Sequence, residues 1–286
     1  MNELKNIIDQ YHYLKSTDTT CVLATVVHVV GSSYRREGAR MLIDAYGNMT
    51  GAISGGCLEG DALKKALLAF HKNEIVLTTY DTTNEDDAVL GAQLGCNGII
   101  DVLFEPIDFS NEHNPIEILQ WADLQQDGST VIVHYARNEL NKGTINAYNL
   151  KQGFKNPGYY STSLNFDLQS QQNSYISINE NQNSYFLNFI KPKNHLILVG
   201  AGNDAITMSN LAQALGWKVT IVDGRHTHAT RQRFGDNCQI YLGNAEEVVA
   251  CIQDPTYTAI ALMSHNFQYD LKAMAQLIDI KNLPYI

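Results

Sequence analysis

Two short segments in the first hundred residues set a cysteine among glycines: Ser54-Gly55-Gly56-Cys57-Leu58-Glu59 and Leu94-Gly95-Cys96-Asn97-Gly98. Glycine lets a backbone approach a ligand closely, and cysteine supplies a soft, polarisable sulfur. Together the two segments suit an anionic, metal-bearing or sulfur-accepting compound. A third glycine turn, Gly200-Ala201-Gly202-Asn203-Asp204-Ala205, has the GxGxxA spacing of a dinucleotide-binding turn. Asp223 follows about twenty residues later, where an acid can accept hydrogen bonds from a ribose hydroxyl.

Each of these features has a plainer reading beside the chemical one. Cys57 could be a thiolate activated at a helix N-terminus, or a small buried hydrophobe beside a tight turn. Glu59, in the first turn of the following helix, would stabilise that helix yet repel an anion and oppose thiolate formation. Gly31-Ser32-Ser33 with Arg35, Arg36 and Arg40 gathers hydroxyls and guanidinium groups in an acidic chain, either as a phosphate clamp or as solvated surface charge. His226 and His228 form an HxH pair with no third ligand nearby, which favours a loop over a metal site. His265 is better placed, near a strand end of the dinucleotide-type fold, for a role in its cleft. The fold behind the GxGxxA turn can also persist without any nucleotide.

The elements that must position these residues follow from periodicity. A helix is expected over Glu3 to Lys15, a buried strand over Cys21 to Val30, and a second strand over Ala39 to Asp44. Ala45-Tyr46-Gly47-Asn48 then turns into Met49 to Ile53. The apolar positions Leu58, Ala62, Leu63, Ala66, Leu67 and Phe70 predict a helix that opens just after Cys57. Strands are expected over Glu74 to Tyr80 and Gly98 to Phe104, with an acidic loop at Asp81 to Asp87. A helix over Ile116 to Gln125 and strands over Thr130 to Tyr135 and Thr144 to Leu150 come next. The alternation in Ser174-Tyr175-Ile176-Ser177-Ile178 predicts an exposed hairpin, and Lys191-Pro192-Lys193 reads as a linker. From His195 the rhythm becomes βαβ, with the expected strand order 3-2-1-4-5. The fold class is α/β: a mixed α/β domain over residues 1–190, then a Rossmann-like, doubly wound, parallel-sheet domain over 194–286.

Composition narrows the class further. The 286 residues are 44% hydrophobic and 17% charged, with a formal net charge of −10 and no basic stripe, which speaks against nucleic acid as a partner. No apolar run approaches the roughly 18 to 20 residues of a membrane span, and the N-terminus lacks a secretion signal, so a cytoplasmic protein is expected. Five scattered cysteines without a CxxC pair read as reduced thiols.

Several of these segments, taken in order, resemble the xanthine dehydrogenase accessory factors of the XdhC and CoxI group. In the first half they are Gly31-Ser32-Ser33-Tyr34-Arg35, Gly38-Ala39-Arg40-Met41, Gly51 to Glu59, Leu94 to Gly98 and Glu105-Pro106. In the second half Gly200 to Ala205, Leu215-Gly216-Trp217, Val222-Asp223-Gly224-Arg225, Ala229 to Phe234 and Ser264 to Asp270 are similar to that group's Rossmann domain. Residues 110 to 190 carry the resemblance least. Tyr34 stands where the family usually has proline, and Gln93 and Asn97 stand for glycines of its GLGCGG. The sequence stops at Ile286, where many relatives continue.

The resemblance implies a chaperone rather than a catalyst. Such a protein binds the molybdenum cofactor (molybdopterin, as cargo) and shields it while a cysteine desulfurase supports its sulfuration. It then delivers the cofactor to xanthine dehydrogenase or a related molybdenum hydroxylase, and a homodimer is the implied assembly. The cofactor-binding residues expected on this reading are Ser32, Ser33, Arg35, Arg40, Ser54, Gly55, Gly56, Cys57, Gly95 and Cys96, with Gly200, Gly202, Asp204, Asp223, Arg225 and His265 in the second half. Cys57 and Cys96 are the expected molybdenum or sulfur contacts. The competing reading is an NAD(P)-dependent oxidoreductase whose cofactor sits on Gly200, Gly202 and Asp223, and NAD(P) or another nucleotide is a possible ligand on either reading.

Overall fold

The computed structural model describes residues 3–82, 98–136, 143–149, 151–156, 168, 170–178 and 183–286. They divide into two compact units, Glu3–Lys191 and Pro192–Ile286.

The first unit contains two five-stranded antiparallel sheets. One has the order β3-β2-β1-β5-β4, formed by β1 (Cys21–Gly31), β2 (Arg40–Asp44), β3 (Met49–Gly51), β4 (Val76–Asp81) and β5 (Gly98–Pro106). The other has the order β8-β7-β6-β10-β9, from β6 (Ser129–Ala136), β7 (Gly143–Asn149), β8 (Gly153–Phe154), β9 (Ser174–Ile178) and β10 (Asn183–Ile190). The segment read as a hairpin strand, 174–178, is thus an edge strand paired with β10.

β1 is buried from Cys21 to Val27 because both faces of its sheet are covered. Alternate side chains go to opposite faces of a strand. Cys21, Leu23 and Val27 therefore join the core beneath α1 (Glu3–Ser16), α3 (Pro115–Asp123) and the second sheet. Val22, Ala24 and Val26 pack on the other face with Ala62, Ala66 and Ala69 of α2 (Glu59–Lys72). Spacing sets which side of each helix is buried: α1 buries Ile7, Ile8, Tyr11 and Leu14, one stripe of a 3.6-residue period. Asn114 caps α3 by accepting from the Ile116 and Glu117 amides, an arrangement that contributes about 1 kcal/mol.

The second unit is the Rossmann-like domain. Its parallel sheet has the order β13-β12-β11-β14, from β11 (His195–Val199), β12 (Lys218–Val222), β13 (Cys238–Tyr241) and β14 (Thr258–Leu262). Numbered within the domain this is 3-2-1-4, and the expected fifth position holds a single parallel bridge between Ala259 and Tyr285. α4 (Asn203–Ala214) covers one face, and α6 (Phe267–Leu277) with the 3-10 segment Ala245–Cys251 covers the other. The four-residue α5 (Arg231–Phe234) leads into β13. α4 begins directly at the glycine turn.

Candidate functional site

The turn that precedes α2 is held by its own side chains. The Ser54 hydroxyl accepts from the amides of Gly56 and Leu58, each at 3.1 Å, and donates to Glu59 Oε2. Glu59 Oε1 also accepts the Ser54 amide at 2.9 Å, so its carboxylate is engaged by the turn. Gly56 has φ +110°, a region side chains avoid, and a Cβ there would meet no atom within 4 Å. Gly55, Gly56 and Cys57 are exposed, and among the described residues no acceptor takes the Gly55 or Cys57 amides. The result is an exposed thiol beside two backbone amides that the described residues leave unbonded. Cys57 is the exposed one of the four described cysteines, whereas Cys21 and Cys238 are buried.

The arginine-containing loop meets this turn through Tyr34. A Cβ on Gly55 would lie 3.1 to 3.3 Å from the Tyr34 ring, so the ring covers the bare backbone there. Ser33 Oγ donates to the Arg35 carbonyl at 2.6 Å, and the Ser32 backbone runs against Gly98. Arg35 donates to Glu3 Oε2 at 3.0 Å, and Glu3 Oε1 accepts the Ala52 amide at 2.8 Å. Glu3 thereby ties α1 to both the loop and the chain that leads into the cysteine turn. Arg40 is buried on β2 and donates to the Gly38 carbonyl at 3.0 Å. Burial pushes the Arg40 guanidinium down to about 10, although the nearby Glu105 carboxyl works to raise it. Arg36 is the exposed arginine of the group.

The structure therefore brings Ser33, Tyr34, Arg35, Gly55 and Cys57 into one neighbourhood and places Arg40 inside the core. Gly95 and Cys96 lie outside the described residues. Glu3 and Tyr34 were not among the site residues read from the sequence. Glu3 looks there like an ordinary first-turn acid of a helix, while Tyr34 carried a signal as the residue standing for a proline.

The GxGxxA turn is built differently. Gly200 has φ +116°, and a Cβ on it would sit 2.5 Å from the Met263 backbone, so only glycine lets β11 pass under the loop after β14. Asp223 reaches back beneath the turn. Its Oδ2 accepts the Ala201 amide at 2.7 Å and an Arg225 guanidinium N–H at 2.6 Å, while Oδ1 accepts the Arg225 amide and Nε. Burial works to raise the Asp223 carboxyl, but the bonds from Arg225 and Ala201 outweigh it and hold the group below the usual range. A carboxylate offers about four acceptor positions, and all four are filled from within the chain.

The start of α4 is also occupied. Asp204 Oδ1 accepts the Ala205 amide and lies 2.4 Å from where a Gly202 Cβ would be. Its Oδ2 pairs with His265 Nε2 at 2.8 Å, and that bond lowers the Asp204 carboxyl. His265 itself has φ +56° in the loop between β14 and α6. The helix N-terminus, where an incoming phosphate would bind, already has a carboxylate. Arg233 fixes the same loop from below by donating to the carbonyls of Ala201 and His228, each at 2.7 Å.

Among the described residues no group of three or more His, Cys, Asp or Glu side chains is arranged to hold a metal ion, His226 and His228 included. Among them, too, no helix is long and apolar enough to cross a membrane.

The fold and the turns define a two-unit protein: a mixed domain carrying an open cysteine turn, joined to a Rossmann-like domain. Residues 14–81 match the family described as XdhC and CoxI, and residues 196–286 match the XdhC Rossmann domain. The chain belongs to the XdhC and CoxI family. It is 29% identical over 271 residues to a Bacillus subtilis protein described as a probable xanthine dehydrogenase subunit, covering 93% of this chain and 78% of that one. It also resembles the crystal structure of a protein from Bacillus halodurans described as a xanthine dehydrogenase. That match has 26% identity and a TM-score of 0.72, and covers 97% of this chain and 79% of that one. Membership places the chain among proteins that handle the molybdenum cofactor and support its maturation in general.

Proposed function

We propose that this protein receives the molybdenum cofactor, holds it at the turn 54–57, and passes it to a molybdenum hydroxylase of the xanthine dehydrogenase type. A cysteine desulfurase supports the sulfuration of the cofactor while it is held. The observation that carries the reading is the Cys57 thiol, exposed on a turn whose neighbouring hydrogen bonds are already made and whose Gly55 and Cys57 amides have no acceptor among the described residues. Thiolate is a soft ligand suited to molybdenum and to sulfur exchange, and free amides suit an anionic group beside it. The relatives described as xanthine dehydrogenase proteins support the choice of partner. Cys96 joins the reading as a second sulfur contact on sequence grounds alone. A cytoplasmic homodimer completes it, drawn from the family resemblance and the unpaired cysteines.

The oxidoreductase reading finds no support at the GxGxxA turn, because the atoms that would hold ribose and pyrophosphate are engaged by Arg225, Ala201 and His265. The test is to produce the chain in a host supplied with molybdate, then measure molybdenum per chain by mass spectrometry and pterin by fluorescence after oxidation. Wild type is expected to carry both, and Cys57→Ser to retain less than a fifth of the molybdenum. If wild type stays empty even after incubation with released cofactor, or if Cys57→Ser loads equally, the reading fails.

A further inference from the structure

Gly55 and Gly56 are glycines for different reasons. Gly56, at φ +110°, needs the residue type for its backbone, whereas Gly55 lies outside the left-handed region and no backbone strain calls for glycine there. What a side chain at 55 would meet is the Tyr34 ring. A Cβ would stand 3.1 to 3.3 Å from three of the ring carbons, closer than the roughly 3.5 to 4.0 Å at which carbon atoms pack best. The missing side chain is therefore the space in which the ring sits.

One carboxylate holds this seat from both sides. Glu3 Oε2 accepts from Arg35, the residue after Tyr34, and Glu3 Oε1 accepts the amide of Ala52, three residues before Gly55. Ser33, on the other side of Tyr34, closes the loop on the Arg35 carbonyl. The loop that carries the ring is thereby set in advance, which lowers the ordering cost of binding. Contact with Gly55 leaves most of the side chain open: Tyr34 is 72% exposed and, among the described residues, joins neither hydrophobic cluster of its unit. Cys57 follows Gly55 by two residues, at most about 7 Å along the chain, and is exposed as well.

We propose that Tyr34 is a specificity-determining residue of the cysteine turn, stacking its open ring face on a planar ring of the molecule that meets Cys57. This rests on the reading that the molybdenum cofactor is held at the turn 54–57, and it assigns the pterin ring to Tyr34 and the metal end to Cys57. Offset stacking depends on the aromatic face and not on the hydroxyl. A compound of equal charge without a planar ring forgoes the contact, so the turn selects against it. Proline, which the XdhC and CoxI family usually has at this position, offers no aromatic face, and the device belongs to this chain.

The test uses the full chain and two thiol reagents, N-phenylmaleimide with a planar ring and N-ethylmaleimide without one. Their rates on Cys57 are read by peptide mass mapping, and each is divided by its rate on free glutathione to remove the intrinsic difference in reactivity. Wild type is expected to prefer the phenyl reagent about fivefold, the size of an aromatic pair contribution. Tyr34→Phe keeps this preference and Tyr34→Ala loses it, while the ethyl reagent reacts alike with all three chains. No preference in wild type, a preference kept by Tyr34→Ala, or one lost equally in Tyr34→Phe would each overturn the proposal. So would an ethyl rate that falls in step with the phenyl rate in Tyr34→Ala, because Tyr34 would then only shape the turn. Molybdenum per chain, after production with molybdate, separates this proposal from the reading beneath it. Tyr34→Phe should load as wild type does, and Tyr34→Ala roughly a third as much or less. Equal loading of Tyr34→Ala and wild type overturns the role of Tyr34 and leaves the cofactor reading standing. An empty wild type overturns the cofactor reading and the assignment of the pterin ring with it, while the maleimide rates still decide whether Tyr34 selects planar rings.

Discussion

The cysteine turn and the GxGxxA turn use the same backbone device, a glycine of positive φ just before a helix, and finish it in opposite ways. Before α2, Ser54 and Glu59 satisfy the turn, leaving an exposed thiol and, among the described residues, two amides without an acceptor. Before α4, Asp223 fills the turn from below and Asp204 fills the helix start from above, so the atoms that would greet an anion are answered by the chain's own carboxylates. Glycine spacing reports what the backbone can do. The polar side chains around it decide whether a ligand is needed to complete it.

The largest expected difference between the two regions is in thiol chemistry. Burial, helped by Asp44, pushes the Cys21 thiol up to about 12, and Cys238 is buried between Ser209 and Gln213 of α4. At pH 8 a thiol of that pKa is ionised to only about one part in 10⁴. N-ethylmaleimide in limiting amount should therefore modify Cys57 at least a hundredfold faster than Cys21 or Cys238, as read by peptide mass mapping. Equal rates would mean that the turn does not present its sulfur.

Alanine at the two glycines sharpens the contrast next. Gly200→Ala sets a Cβ 2.5 Å from the Met263 backbone at φ +116°, an overlap with main chain that no rotamer relieves. Its cost should be about 3 kcal/mol or more. Gly56→Ala meets no atom within 4 Å and bears only the backbone strain of φ +110°, about 1–2 kcal/mol. Hydrogen exchange, followed separately over residues 3–191 and 192–286, measures both. A Gly56→Ala variant as damaged as Gly200→Ala would show that the cysteine turn is packed rather than open.

Much of this was legible in the sequence. The βαβ rhythm from His195, the glycine turn and Asp223 identify the Rossmann-like sheet because each is a local pattern, and local patterns survive folding. The apolar run from Cys21 to Val30 likewise announces a buried strand, and the strand is buried as far as Val27. What escaped was set by partners distant in sequence. Arg35 and Arg40 look alike as members of one guanidinium cluster, yet one meets Glu3 and the other is drawn into the core near Glu105. Asp223 reads as a ribose acceptor until Arg225, two residues away, is seen folded back on it. Charged side chains are long enough to choose among several partners, and spacing alone does not reveal the choice.

The two units should also respond to acid with opposite signs. Glu105 stands near 7 in the folded state against 4.5 ordinarily, so between these values the folded unit holds more protons than the unfolded chain. Its stability therefore falls as pH rises through that window and increases on acidification. His195, buried in the Rossmann-like domain and further opposed by Lys218, is pushed down to about 4 from 6.5. There the unfolded chain binds the extra proton, and stability is lost as pH falls below 6.5. Moving from pH 6.5 to 5 should stabilise residues 3–191 and destabilise 192–286, each by about 1–2 kcal/mol. Hydrogen exchange at the two pH values measures both, and His195→Leu should flatten the second slope alone. Slopes of the same sign in both units would break the contrast.

The smallest effect concerns the carboxylate at the start of α4. Asp204→Asn keeps the size of the side chain and removes its charge, together with the charged pair to His265. A negative side chain near a helix N-terminus interacts only modestly with the helix dipole, so its removal should strengthen binding of ADP severalfold rather than by orders of magnitude. Titration of the wild-type and variant chains with ADP measures this. The saturated Asp223 predicts that even the variant discriminates poorly between ADP and inorganic pyrophosphate, because no acceptor is left for the ribose. If Asp204→Asn instead binds ADP tightly and prefers it strongly over pyrophosphate, then Arg225 gives way to the ribose. The two glycine turns would then differ only in which side chain guards them.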